Sequence, residues 1–297
     1  MDGLFGKLSR KISETRSSSS ASEGDRENGA ESLEQREPAA SLLPPQDRRH
    51  LILLRMVLAE MIGTFILVFS VWGVGACSIL GKGQLGLMEY ASTGCTALIL
   101  IAIVIGPISG AHINPSITVA FAAIGRFPWQ KVPYYVSAQM LGSLSASYVG
   151  KLVYNMPPDF LATRPMNGRI SAFWAELFAT MFIMLIGSAV SFNAEAIGQL
   201  ASFAIGAAIA LAILITGPVS GGSMNPARSF GPAVVAWKFD DLWLYFVAPT
   251  AGALAGAFLY KLIYFPLCQH RSSTSVSNAS EQTMASLPSH LPSNNSS

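Results

Sequence analysis

Two stretches constrain the fold of this chain more than anything else in it. "IGPISGAHINPS" (Ile105 to Ser116) and "TGPVSGGSMNPA" (Thr216 to Ala227) align on an Asn-Pro pair, and Asn114 and Asn225 stand 111 residues apart. Each stretch breaks an apolar segment with Gly, Pro and Asn, the residues that end helices and build turns. Interrupted apolar segments at matching places in two halves of a chain mark an internally repeated membrane fold, with its solute path at the breaks.

The flanking segments set the environment. Of 297 residues 51% are hydrophobic and only 12% charged, against roughly a quarter charged in an ordinary soluble domain. The charges also avoid the middle, where runs such as "ALILIAIVIG" and "IGAAIALAILITG" occur. A soluble core would need polar outer faces on its helices, and several of these segments have none. Six apolar segments of membrane-spanning length are expected at about 51–73, 86–106, 132–154, 171–192, 198–217 and 242–264. Residues 1–47 and 268–297, rich in Ser and poor in large apolar side chains, are expected to be disordered tails on one side of the membrane. The last carries sequons at Asn278, Asn294 and Asn295. No amino-terminal signal peptide is visible. The net charge of +2 suggests no nucleic-acid partner, and Cys77, Cys95 and Cys268 suggest neither a disulfide framework nor a thiolate metal site. No cofactor is expected.

After each Asn-Pro, about ten apolar or small residues precede Arg126 in one copy and Lys238 in the other. Ten helical residues rise about 15 Å, half of a bilayer core. The duplication recurs elsewhere: "LAEMIGTFILVFS" (Leu58 to Ser70) matches "WAELFATMFIMLIGS" (Trp174 to Ser188), pairing Glu60 with Glu176. The channel domain, 48–267, is thus two copies, about 51–155 and 171–265, each with three spans and one half-span. An odd number of spans inverts the second copy relative to the first, so the special segments meet at the midplane. The expected fold is an all-α membrane protein with six transmembrane helices and two re-entrant half-helices.

In hydrocarbon every backbone polar group needs a partner, so a helix breaks only where it lines water or is buried in protein. Gly106, Pro107 and Gly110, and Gly217, Pro218, Gly221 and Gly222, are expected to end an extended inward segment and allow its tight path. Pro115 and Pro226 suit the first turn of a new helix, where a missing N–H costs nothing. Asn114 and Asn225 stand where Asn is a favoured cap. Two short helices then point their positive ends at the midplane. A cation or hopping proton is repelled there, and a neutral hydrogen-bonding solute is not. The pattern is that of a pore for small neutral solutes.

These residues resemble the aquaporin (major intrinsic protein) family over about residues 51–265. The "GGSMNPAR" context and "FPWQKVP" are similar to the plant nodulin-26-like intrinsic proteins. The resemblance implies a pore motif of Asn114, Pro115, Ser116, Asn225, Pro226 and Ala227, a homotetramer with one pore per subunit, and a four-position filter near the outer mouth. Matched to this chain, the filter reads Gly94, Ile213, Gly222 and Arg228. Ser116 departs from the usual Ala, and Pro107 from a common His. Water-selective relatives carry an aromatic residue and a His at the first two filter positions, and this chain carries Gly and Ile. Such a mouth suits glycerol, urea, boric acid and related metalloid acids. A glycerol- and water-permeable channel with no metalloid role stands as the alternative.

Other residues carry plainer readings. Glu60 and Glu176 are intramembrane carboxylates, yet no second acid extends either into a proton relay, and each is expected to support the re-entrant loop of its own copy. His112 is expected to support its loop, since no second His or Cys lies at ligand spacing. The small residues around Gly142, Ser143, Gly252, Ala253 and Gly256 suit close helix packing. Trp129, Trp237 and Trp243 suit interfacial belts, and the basic residues Arg48, Arg49, Arg55, Arg126, Lys131 and Arg271 favour cytoplasmic termini, in the plasma membrane by preference. A secondary transporter would bind a coupling ion near the midplane, where Arg228 and the helix ends oppose one. An enzyme would need a nucleophile or paired carboxylates, and no such motif occurs.

Overall fold

Helices account for the chain's architecture, and their lengths follow from where the apolar runs meet Gly and Pro. The computed structural model describes residues 45–285 apart from 84, 158–159, 161 and 199. The chain divides into two compact units, Met1–Ile52 and Leu53–Ser297, and the pore belongs to the second. In chain order the helices are α1 (Pro45–Leu80), α2 (Leu87–Ser109), α3 (Pro115–Ala123), α4 (Val132–Tyr154), α5 (Arg169–Phe192), the short α6 (Ala194–Ile197), α7 (Leu200–Ser220), α8 (Pro226–Ala236) and α9 (Leu242–Ala285).

Six long helices, α1, α2, α4, α5, α7 and α9, lie where six spans were expected. Among the described residues five helices are long and apolar enough to cross a membrane, and α4 is not one of them. At 23 residues it matches α2 in length. Its buried face, however, is built from Gln139, Gly142, Ser143, Ala146, Ser147 and Gly150. That face is small and polar because another helix backbone lies against it: a Cβ at Gly142 would collide with the Met61 carbonyl of α1. The second copy repeats the device, with Gly252 and Gly256 of α9 against the Leu177 and Met181 carbonyls of α5. Without a hydrophobic drive between helices in lipid, such close approach supplies the packing.

The half-helices cross between copies. α3 packs against α9 and α8 against α4, so each leans on the last long helix of the other copy.

The inward segments differ from the extended path expected. Pro107 and Pro218 lie inside α2 and α7, which continue to Ser109 and Ser220. The turn comes afterwards, at Gly110 (φ 89°) and Gly221 (φ 80°), whose N–H groups bond back to the Gly106 and Gly217 carbonyls. One proline forfeits a single intrahelical bond, whereas reversing the chain needs a left-handed residue, and Gly takes that conformation without a Cβ penalty.

At the other end, α9 continues to Ala285, through the stretch expected to be an unstructured tail from 268. No Gly or Pro falls between Leu267 and Ala285 to stop it. The tail expected at the amino terminus lies, up to residue 44, outside the described residues, as do the sequons at Asn294 and Asn295 and the side chains of Cys268 and Asn278.

Candidate functional site

Each re-entrant loop is held from behind by one buried carboxylate. Glu60, fully buried in α1, accepts hydrogen bonds from the His112 and Ile113 amides (3.0 and 2.6 Å), the Ser109 hydroxyl (2.7 Å) and the Gln139 amide (2.7 Å). Glu176, equally buried in α5, accepts from the Ser223 and Met224 amides (2.9 and 2.5 Å) and from the Ser220 hydroxyl. A trans peptide points its C=O opposite to its N–H. The carbonyls of Ala111 and His112, and those of Gly222 and Ser223, therefore point away from the carboxylates. All four of these residues line a common cavity. Ala111, Ile113 and Met224 hold φ of 49°, 41° and 50°, a conformation that costs a non-glycine residue of order 1 kcal/mol or more. The charge-assisted bonds to glutamate, about 1.5–3 kcal/mol each, offset it.

The two Asn-Pro boxes meet at the middle of this arrangement. Asn114 Oδ1 accepts from the Ser116 amide (2.9 Å), and Asn225 Oδ1 from the Ala227 and Arg228 amides (2.9 and 3.4 Å), so each side chain caps its own half-helix. The Nδ2 groups cross over: Asn114 donates to the Met224 carbonyl (2.8 Å) and Asn225 to the Ile113 carbonyl (2.9 Å). A carboxamide has two N–H donors, so each Asn keeps one beyond this exchange. Pro115 and Pro226 occupy the first turns, where no donor is lost.

Ser116 is turned away from the path. Its hydroxyl is fully buried, pairs with the Thr250 hydroxyl of α9 at 2.9 Å, and does not line the cavity. Ala227 at the matching place in copy two is likewise buried. His112 lines the cavity beside Asn114, with Nδ1 3.3 Å from the Thr118 hydroxyl and its ring packed among Phe121, Phe127 and Tyr135.

The cavity holds about 650 Å³, and Gly94, Ile213, Gly222 and Arg228 all line it. A Cβ added at Gly94 would stand 2.5 Å from Ile213 Cδ1, so these two positions face each other at van der Waals range. Arg228 donates weakly to the Gly221 carbonyl (3.4 Å), and its buried Nη1 has no partner in the protein.

Four contributors were not singled out from the sequence. Tyr135 and Tyr245 donate to the Ser109 and Ser220 carbonyls (2.8 and 2.7 Å), tying the end of each inward helix to α4 or α9. Their spacing of 110 residues was a signal of the duplication. Gln139 bridges Glu60 and the Thr118 hydroxyl (3.0 Å), and Pro249 lies 110 residues after it in copy two. Tyr90, one turn before Gly94, lies within electrostatic reach of Arg228.

Two inverted copies, two capped half-helices end to end and a continuous lined cavity define a membrane-embedded pore. Comparison with known proteins agrees: the family described as Major intrinsic protein matches residues 47–260. The probable aquaporin NIP7-1 of Arabidopsis thaliana is 51% identical over 211 residues, covering 71% of this chain and 77% of that protein. Aquaporin NIP1-1 of Zea mays is 41% identical over 226 residues, covering 75% and 80%. The X-ray structure of the aquaglyceroporin from Plasmodium falciparum superposes with a TM-score of 0.64 at 23% identity, over 72% of this chain and 98% of that one. The chain belongs to the major intrinsic protein family and is an aquaporin-type channel of the membrane, similar to the plant nodulin-26-like group.

Proposed function

We propose that this channel passes small uncharged hydroxylated solutes, boric acid and related metalloid acids with glycerol, and water to a lesser degree, while excluding ions and protons. The observation that carries the reading is that Gly94, Ile213, Gly222 and Arg228 all line the same cavity. Two positions carry no side chain, one is aliphatic, and the fourth offers a planar fork of donors with one nitrogen unpartnered. Width and donors together suit a planar or branched polyol-like solute. The two half-helix amino-termini and Arg228 present positive charge to the path, which opposes cations. The basic residues flanking the spans favour an orientation with both termini cytoplasmic, and the plasma membrane is the site proposed for it. The apolar outer faces of the helices suit lipid and neighbouring copies in a homotetramer.

The test is stopped-flow permeability of one proteoliposome preparation to water, glycerol, urea and boric acid. The expected result is boric acid and glycerol flux well above protein-free vesicles, linear in gradient and independent of sodium or protons. Fast water flux with no gain for either solute would overturn the reading, and glycerol flux without boric acid would remove its metalloid part.

A further inference from the structure

The cavity has two mouths, and Arg228 accounts for only one. From the midplane α3 runs nine residues toward one membrane face, about 14 Å, and Arg126 follows its end. α8 runs the opposite way, with Arg228 in its first turn. Both arginines line the cavity, Arg126 beyond the far end of α3 and Arg228 in the first turn of the oppositely directed α8, so they stand on opposite sides of the midplane.

An exposed arginine at a membrane face is ordinarily an interfacial anchor. Arg126 is held differently. Its Nη2 donates to the Ser191 carbonyl at the end of α5 (2.9 Å), and its guanidinium carbon sits 4.0 Å from the centre of the Phe192 ring. That ring packs on Tyr260 and Tyr264 of α9, with centroids 5.6 and 4.9 Å away, and Asn193 fixes the Tyr260 hydroxyl at 2.7 Å. A residue of copy one is thus clamped onto the wall of copy two. Neither the carbonyl nor the ring neutralises its charge. Lys131, which also lines the cavity, adds the same sign, and no Asp or Glu lines it among the described residues. Of the other lining residues nearest in sequence to Arg126 or to its Ser191 contact, Phe127, Pro128, Val190, Ala194 and Ala201 are apolar, and Ser191 and Ser202 are neutral. A charge in a narrow mouth with low-dielectric walls has its field focused along the path rather than lost to solvent.

We propose that Arg126 is a second cation barrier, acting at the mouth opposite Arg228. The proposal rests on the reading of the pore as a path for neutral solutes. Cations arriving from the Arg126 side meet its charge before they reach the half-helix ends, and uncharged solutes pass with the remaining guanidinium donors beside them.

The experiment uses the full chain in proteoliposomes and two probes of nearly equal size and shape, neutral urea and cationic guanidinium. Arg228→Ala is compared with Arg228→Ala/Arg126→Gln, with Arg228→Ala/Arg126→Met as the replacement if the glutamine variant fails to reconstitute and Arg228→Ala/Arg126→Lys as the charge-keeping rescue. The expected result is guanidinium flux at least about threefold higher in the doubly neutralised channel, urea flux within about twofold, and guanidinium flux restored to the Arg228→Ala level by lysine. Equal guanidinium flux with and without Arg126 would overturn the proposal, as would a rise that lysine does not reverse. A wild-type channel impermeable to urea, glycerol and boric acid would sink the neutral-solute reading instead, and the guanidinium comparison would still decide the role of Arg126.

Discussion

The two re-entrant loops share a backbone plan and differ in what stands behind them. In both, a buried glutamate takes two consecutive loop amides and a serine hydroxyl, and a tyrosine ties off the inward helix. In copy one, Gln139 and His112 join the loop to α4 and to an aromatic cluster. In copy two, Pro249 matches Gln139, Ser223 matches His112, and the Ser223 hydroxyl pairs with Ser229. Three of the four residues proposed as the filter ring, Ile213, Gly222 and Arg228, come from copy two. The shared parts hold the backbone, so duplication keeps them alike. The unshared parts are side chains, through which one copy became a braced wall and the other the carrier of the ring.

The largest expected effect tests what is shared. Glu60→Ala and Glu176→Ala each strand two loop amides, at about 1–3 kcal/mol per buried group, against a total stability of order 5–15 kcal/mol. Both variants should yield little folded protein by size-exclusion chromatography in detergent. Glu60→Ala should be the worse, because the Gln139 amide loses one of its two acceptors too. Wild-type yield and melting temperature in either variant would mean that the loops hold themselves.

Next comes the ring. An indole at Gly94 must occupy the space of Ile213, so Gly94→Trp should lower boric acid and glycerol flux at least about tenfold by exclusion and water flux less. Solute flux at the wild-type level, with matched protein in the vesicles, would place the narrowest point elsewhere.

Tyr135→Phe and Tyr245→Phe remove one neutral hydrogen bond each, about 1 kcal/mol. The losses in thermal stability should match within a few tenths of a kcal/mol if the two ties are equivalent. A clear inequality would show that Gln139 or His112 carries part of the load in copy one.

The smallest effect belongs to Ser116→Ala, which makes the first box like the second. Thr250 keeps its bond to the Phe246 carbonyl (2.6 Å), so stability should fall by about 1 kcal/mol or less. The boric acid to water flux ratio should stay unchanged. A shifted ratio would return the Ser116 hydroxyl to the path.

What could be read from the sequence is what a bilayer and a duplication impose locally. Span length follows from apolar run times rise per residue, and half-helices follow from runs too short to cross. The positions of Asn114, Asn225, Glu60 and Glu176 follow from register between the copies, whereas the four filter positions were implied only by the family resemblance. The sixth long helix, α4, was legible as a segment although its buried polar face keeps it below the apolarity of the other five.

Direction and partnership were left to the tertiary structure. The composition of the inward segments suggested an extended path, but packing keeps Pro107 and Pro218 inside helices and leaves the turn to Gly110 and Gly221. Ser116 belongs to the pore motif by sequence, yet its hydroxyl faces Thr250, 134 residues away. Which face of a half-helix meets the path depends on what packs behind it. The exchange between Asn114 and the Met224 carbonyl, and the seat of Arg126 on Phe192, join groups that no local pattern links. By itself the sequence determined two inverted halves with a polar break in each. Only the folded packing of one half against the other decided which side chains face the solute, because those contacts are made between copies rather than within them.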